Sequence, residues 1–380
     1  MNILQVNTLD NQGGAAKVAY RLKNSLMIKG HNVKMLVSRK LTKDEDVIKI
    51  EYKRKLIKYF NSKRFYEFML PTKNFFLQSD NFMRADVVHL HNLHGGYFNI
   101  LSLPKISKLK PVVWTLHDPW IIFPNSMIPE YSLIFQSEPS YYSYLKKLAI
   151  NRSRMILVSP SKWLKTIIES IYSDREVIVI PNGIDVRNFK RRDRQSLRRR
   201  LKLPVNKRVI VTVAQGGKDN IQKGWKQIDK LYSLLSLDDL IIVCIGGVND
   251  NQNKSIISVP YLKNEKVISE YYSASDVFLS MSLAENFPLV VLEAMSCGLP
   301  VISYDVGGVK EIVKHGQTGY IARYNQIGDI AEGIVYFLSM GKDKFEYCSR
   351  RASLEIIKKY TLDRMTKSYL NLYESAMKNI

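Results

Sequence analysis

At 380 residues with 46% hydrophobic content, the chain is too long for one small domain and has the apolar content for two packed cores. No apolar run reaches the ~18 residues of a spanning helix, and three cysteines without paired spacing exclude a disulfide or zinc framework, so a cytosolic protein with reduced, buried thiols is expected. The formal charge of +22 predicts attraction to something anionic, whether nucleic acid, a membrane surface or a phosphorylated substrate.

Residues 1–7 read as a strand, with no basic and then apolar leader before it, and 10–14 as a polar glycine loop. Ala15, Val18, Ala19, Leu22 and Leu26 then recur at helical spacing until Gly30, and 32–37 is the next strand. Such a unit predicts a parallel sheet whose ligands bind at the strands' C-terminal edge, where Gly13 and Gly14 lie. Two adjacent glycines allow close backbone approach to a phosphate or sugar, or simply a turn. Asp44-Glu45-Asp46 has a D-x-D spacing that can hold a divalent ion, but among Lys40, Lys43 and Lys49 it reads as a solvated charged loop. Basic residues across 53–70 interleave with Leu56, Ile57, Tyr59, Phe60 and Phe65, a pattern that suits either an anionic membrane surface or a solvated helix face.

A strand at 86–90 empties into His89, His91, Asn92 and His94, and a second at 112–116 ends in His117 and Asp118. Four of the six histidines at two strand ends exceed what packing requires, although each alone could be structural and a zinc site is conceivable. Residues 119–143, rich in aromatics and proline, read as a long loop beside the site. Strands at 156–158 and 177–180 follow, then a basic run at 190–200 that reads as a solvated helix face. The second half repeats the architecture, with a strand at 209–213, a glycine loop at Gly216 and Gly217, a helix from Trp225 and a strand at 240–245.

Residues 276–313, DVFLSMSLAENFPLVVLEAMSCGLPVISYDVGGVKEIV, give a strand at 276–280, a helix from near Phe287 with Pro288 in its first turn, a stop at Gly298, and a strand at 301–304. Backbone N–H groups at Asn286, Phe287, Pro288's neighbour Leu289 and beyond then lack helical partners and attract anions and sugar oxygens. Glu285 in the loop and Glu293 two turns into the helix can each accept a pair of hydroxyls, which suits the vicinal diols of a ribose and a hexose. Taken alone, E-x7-E also fits a loop cap plus a solvated helix residue, and a glycosidase too wants two carboxylates.

The run from Ala284 onward closely resembles the E-x7-E region of retaining GT-B glycosyltransferases of family four, which build bacterial polysaccharides and glycolipids. The resemblance implies an α/β fold of two Rossmann-like domains, 1–181 and 182–360, facing across a cleft, with a terminal helix at 361–380 crossing back onto the first. It implies donor binding by Gly13, Gly14, Gln215, Lys218, Lys223, Glu285, Asn286, Phe287, Pro288, Leu289 and Glu293. Lys223-Gly224 resembles the K-G element whose lysine neutralises the donor diphosphate; where relatives add an arginine this chain reads Ala214-Gln215-Gly216, leaving Lys218 as a point charge. Thr115 to Asp118 resembles the catalytic-loop motif, so His117 joins Lys223 and Glu285 as catalytic candidates, while His89, His91, Asn92, His94 and Asp118 fall on the acceptor side.

The implied reaction is metal-independent, retaining hexosyl transfer from a nucleoside-diphosphate sugar, with no other cofactor, to a glycan or lipid-linked acceptor in capsule or lipopolysaccharide assembly at the cytoplasmic face of the membrane. Nucleic acid is not an expected partner. The competing reading is a basic nucleic-acid- or membrane-binding protein with a vestigial nucleotide-sugar site.

Overall fold

In a computed structural model of the protein, the structure describes residues 1–51, 68, 76–122, 141–213, 221–224, 227–235, 239–247 and 255–378. The basic aromatic stretch at 53–70, apart from Phe68, and most of the loop at 119–143 lie outside the described residues. The chain divides into two compact units, Met1–Asn182 with Leu362–Ile380, and Gly183–Thr361.

The first unit runs β1 (Asn2–Leu9), α1 (Gly14–Ile28), β2 (Asn32–Arg39), β3 (Val47–Lys49), α2 (Asp80–Arg84), β4 (Val87–Leu90), α3 (Leu103–Leu109), β5 (Val112–Thr115), α4 (Tyr141–Asn151), β6 (Ile156–Ser159), α5 (Lys162–Ile171) and β7 (Val177–Val179). Its described strands form one parallel sheet in the order β3-β2-β1-β4-β5-β6-β7. Buried on both faces, such strands read as unbroken apolar runs, as in Val112-Val113-Trp114. One face packs Leu4, Val6, Val88, Leu90 and Trp114 into the main core, and the other meets α1 through Ala19, Met35 and Val37. Ser161 starts α5 by accepting the Leu164 N–H at 3.0 Å.

The second unit runs α6 (Arg194–Arg200), β8 (Arg208–Val213), α7 (Ile228–Leu235), β9 (Leu240–Ile245), β10 (Ile256–Val259), α8 (Glu265–Ala274), β11 (Val277–Ser280), α9 (Leu289–Ser296), β12 (Val301–Tyr304), α10 (Val309–Ile312), β13 (Gly319–Ala322), α11 (Ile327–Leu338) and α12 (Lys342–Lys359). The described strands again form a parallel sheet, ordered β10-β9-β8-β11-β12-β13. The terminal helix α13 (Leu362–Lys378) belongs to the first unit, where Thr366 bonds Ser25 of α1 at 2.8 Å and Tyr369 and Tyr373 are buried.

In both sheets the order reverses beside the first strand of the unit, between β1 and β4 and between β8 and β11. Ligands of open parallel sheets bind outside the carboxyl ends of the strands at such reversals. The loops that leave β1, β4, β5, β8 and β11 carry most of the glycine, histidine and carboxylate candidates.

Two expectations about charge are corrected. Asp44 is not a solvated loop residue: it accepts hydrogen bonds from the buried Lys23 at 2.9 Å and from Tyr20 at 3.0 Å, so the D-x-D segment clamps α1. The basic run at 190–200 is likewise tied inward. Arg198 is buried against Asp276 at 2.8 Å and donates to the carbonyls of Ala274 and Lys207, while Arg194 reaches Asp276 at 2.9 Å and Arg200 reaches Glu270 at 2.6 Å. Asp276 also accepts the Val209 N–H at 2.7 Å, and β11 begins one residue after it. Among the described residues no helix is long and apolar enough to cross a membrane.

Candidate functional site

In the second unit, three loops interlock around Glu285. The segment at 221–224, downstream of β8, is fixed to the loop after β11 by a 2.8 Å bond from the Leu283 N–H to the Gln222 carbonyl. Gly224, at φ +67°, lies so close to the Met281 backbone that a Cβ would collide with the Met281 carbonyl. Gly307, at φ +54° in the loop after β12, is pressed in the same way against the Glu285 carbonyl, and the Gly308 N–H donates to the Asn286 carbonyl at 2.7 Å. Glycine chemistry therefore sets the backbone on both sides of Glu285.

The side chains converge accordingly. Lys223 Nζ lies 2.6 Å from Glu285 Oε1, with both side chains partly sheltered. The cation expected on the diphosphate is thus held by the carboxylate expected on the sugar. Helix α9 starts at Leu289, not near Phe287, because Pro288 keeps an extended ψ of 122° and acts as the N-cap. Glu293 consequently falls in the second helical turn, nearer the helix start than expected, and is almost fully buried. Proline offers no side-chain oxygen to the first helical N–H groups, and the helix dipole favours negative charge at that end. Asn286, Phe287 and Leu289 are buried, with the Phe287 ring 5.5 Å from that of Tyr360. Gln215 and Lys218 lie outside the described residues.

In the first unit, Gly13 is the N-cap of α1 at φ +92°, and open space faces the Cβ positions of both Gly13 and Gly14. The loop is held by Asp10, which sequence reasoning passed over. It is fully buried, and its carboxylate accepts N–H bonds from Leu41 at 2.9 Å and Thr42 at 2.7 Å. An aspartate directly after a strand is the signal that could have found it.

The histidines do not all face outward. His89 is fully buried, and both ring nitrogens are engaged, Nδ1 with the Tyr373 hydroxyl at 2.6 Å and Nε2 with Thr115 Oγ1 at 2.8 Å. Thr115 in turn meets the Tyr369 hydroxyl at 2.8 Å. The acceptor-side expectation for His89 is thereby corrected: it belongs to a polar seam sealed by α13. His91 is buried too, its Nδ1 lying 3.0 Å from His117 Nε2, and Trp114 donates its indole N–H to the His91 carbonyl at 2.8 Å. Asn92 is locked through its backbone, its N–H donating to Asn7 at 3.1 Å and its carbonyl accepting from Tyr97 at 2.6 Å. His94 and Asp118 form a half-exposed pair at 3.2 Å, and Asp118 also caps the following turn by accepting the Trp120 N–H at 2.9 Å.

His91, His94, His117 and Asp118 line a small cavity with Trp114 and Trp120. Burial keeps His89 and His91 well below the ordinary imidazole pKa, with neighbouring imidazoles adding to the effect. Burial likewise lowers His117 to about 4, against a raising influence from Asp118. All three are neutral rings at physiological pH. Both nitrogens of His89 and Nδ1 of His91 are engaged in hydrogen bonds, and among the described residues no three His, Cys, Asp or Glu side chains are grouped as a metal site would group them.

Comparison with known proteins places these features. A family model described as Glycosyltransferase Family 4 matches residues 12–188, and one described as Glycosyl transferases group 1 matches residues 193–354. The chain is 20% identical over 303 residues to N-acetyl-alpha-D-glucosaminyl L-malate synthase of Bacillus anthracis, covering 77% of this chain and 76% of that one. It is 22% identical over 307 residues to a 41.2 kDa protein in the cps region of Klebsiella pneumoniae, covering 77% and 79%. Among solved structures, Anabaena HepE in complex with UDP superimposes with a TM-score of 0.76 at 16% identity, covering 99% of this chain and 100% of that one.

Proposed function

The chain belongs to the family-four glycosyltransferases of the GT-B fold, and from that premise we propose that it transfers a hexose from a nucleoside-diphosphate sugar to a glycan or lipid-linked saccharide with retention of configuration. One observation carries the reading: the K-G element and the E-x7-E element meet in the Lys223–Glu285 pair at 2.6 Å, on loops whose backbones Gly224 and Gly307 hold in place. Glu293 binds the ribose diol, Glu285 the hydroxyls of the transferred sugar, and Lys223 the diphosphate. Asn286, Phe287, Pro288 and Leu289 shape the anion-attracting start of α9. His117 orients the sugar, and His94 with Asp118 meets the acceptor. Negative charge builds on the departing diphosphate in the transition state, and fixed donors aimed at it are typically worth about 10²–10³ in rate each without a metal.

HepE is solved with UDP and with UDP-glucose, which makes uridine nucleotides the first donors to screen. The cps-region relative supports a place in surface-polysaccharide assembly. The test is a pair of variants. Glu293→Ala loses charge-assisted hydrogen bonds of about 1.5–3 kcal/mol, so nucleotide affinity falls roughly 10- to 100-fold. Glu285→Ala releases Lys223 toward the phosphates, so transfer slows while nucleotide affinity holds or rises. Equal loss of nucleotide affinity in both variants contradicts this division of roles.

A further inference from the structure

Beneath His117 lies a row of polar side chains that the proposed reaction does not use directly. On the face of the first sheet that carries α13, Gln5, His89 and Thr115 are all fully buried, and His91 is nearly so. His91 Nδ1 meets His117 Nε2 at 3.0 Å with the ring planes only 22° apart, whereas His91 Nε2 is buried with no hydrogen-bond partner among the described residues. His91 is held at its backbone and at its ring. Trp114 grips its backbone carbonyl at 2.8 Å, and the His89 ring packs 4.1 Å from it, itself anchored by Tyr373 and Thr115.

The two neutral rings share one proton along the Nδ1···Nε2 line, and two arrangements satisfy it. If His117 donates from Nε2, the His91 proton must sit on its own Nε2, as a buried N–H without an acceptor. If His91 donates from Nδ1, the orphaned atom is a bare lone pair. Buried N–H groups without partners are rare in folded proteins, and under-satisfied acceptors are less so. We propose that His91 is a positioning residue that donates from Nδ1 to His117 Nε2 and so fixes His117 in the tautomer protonated at Nδ1.

The consequence is chemical. With Nε2 already accepting and Nδ1 carrying the proton, His117 has no lone pair with which to take a proton from an attacking hydroxyl. It can serve only as a hydrogen-bond donor. On the proposed function, on which this consequence rests, deprotonation of the acceptor therefore falls to another group. The polar seam beneath acts as a second layer that orients a first, and loss of such partners typically costs on the order of 10- to 100-fold in function.

The test is histidine-selective ¹⁵N labelling with long-range correlation through the imidazole rings at pH 7, the His117 signals being identified by their loss in His117→Gln. The expected wild-type result is a neutral His117 with Nδ1 protonated. His91→Asn places an amide N–H near the original Nδ1 and keeps that tautomer, whereas His91→Leu lets the Nε2–H form appear. In transfer assays, His91→Leu lowers kcat about 10-fold or more with the donor KM within about 2-fold, and His91→Asn recovers most of that loss. A wild-type His117 protonated at Nε2 overturns the proposal, as does an unchanged tautomer in His91→Leu. The ring measurement needs no substrate, so a protein that binds no nucleotide sugar would defeat the proposed function while still deciding the tautomer.

Discussion

Gly307→Ala separates the two reasons for a glycine beside Glu285. At φ +54° an L-residue costs about 1–2 kcal/mol in the backbone alone. At roughly 2–4 °C per kcal/mol for a domain of this size, the melting temperature falls by about 2–8 °C. A Cβ at 307 would also overlap the Glu285 carbonyl, a backbone atom that moves only if the whole loop moves. Gly316 supplies the control. It has a similar φ of +72° and nothing within 4 Å of its Cβ, so Gly316→Ala carries the backbone cost without the collision. The prediction is that Gly316→Ala shows the backbone cost alone, that Gly307→Ala loses at least as much thermal stability because the collision adds to that cost, and that only Gly307→Ala displaces Glu285 and Asn286. Misplacement of a site by about 1 Å can cost 10²-fold in rate, so transfer falls by about that factor in Gly307→Ala and little in Gly316→Ala. Melting followed by circular dichroism, alongside initial-rate assays, reads both effects. Equal activity in the two variants would refute the claim that this close approach sets the position of Glu285.

Tyr373→Phe removes the partner of His89 Nδ1 inside the seam and is expected to cost about 1–3 kcal/mol in urea unfolding, with no compensating gain because the ring contact is retained. Asp276→Asn withdraws the carboxylate that neutralises the buried Arg198 and should cost about 3–5 kcal/mol, seen as a lower unfolding midpoint or as insoluble protein. The folded-state pKa values of His89, His91 and His117 are all depressed, so the unfolded chain binds protons that the folded chain refuses. Their contribution to stability is full above about pH 6.5 and is lost as pH falls toward about 4, where His117 itself titrates. Urea midpoints should hold from pH 8 to 7 and decline below about 6.5, and the decline should be shallower in His117→Gln.

The repeated strand, helix, strand order was legible because each parallel strand is an apolar run bounded by glycine, proline or a cap. Gly30, Gly298 and Pro300 marked ends that the structure keeps. The Glu285 loop was legible for the same local reason, since Pro288 and the run that follows it announce a strand-to-helix junction; only ψ at Pro288, a tertiary outcome, moved the helix start to Leu289. What could not be read was long-range pairing. Nothing near Asp44 signals Lys23 lying buried across the chain, and nothing near the arginines at 194–200 signals Asp276 some eighty residues on. The burial of the histidines was not legible for a related reason. A strand alternates faces, so His89 and His91 necessarily share one, but which face α13 covers depends on a helix that begins at Leu362. Tyr369 and Tyr373 turn that face into a buried polar seam.

On the proposed function, the loops around Glu285 and Glu293 bind a nucleoside diphosphate without a metal. Calorimetric titration with UDP, GDP and ADP in EDTA, with Glu293→Ala alongside, tests it most directly. The expected result is micromolar binding of one of the three, UDP being the first choice, weakened about 10- to 100-fold in the variant. Binding that requires an added divalent ion, or that is indifferent to Glu293, would contradict it.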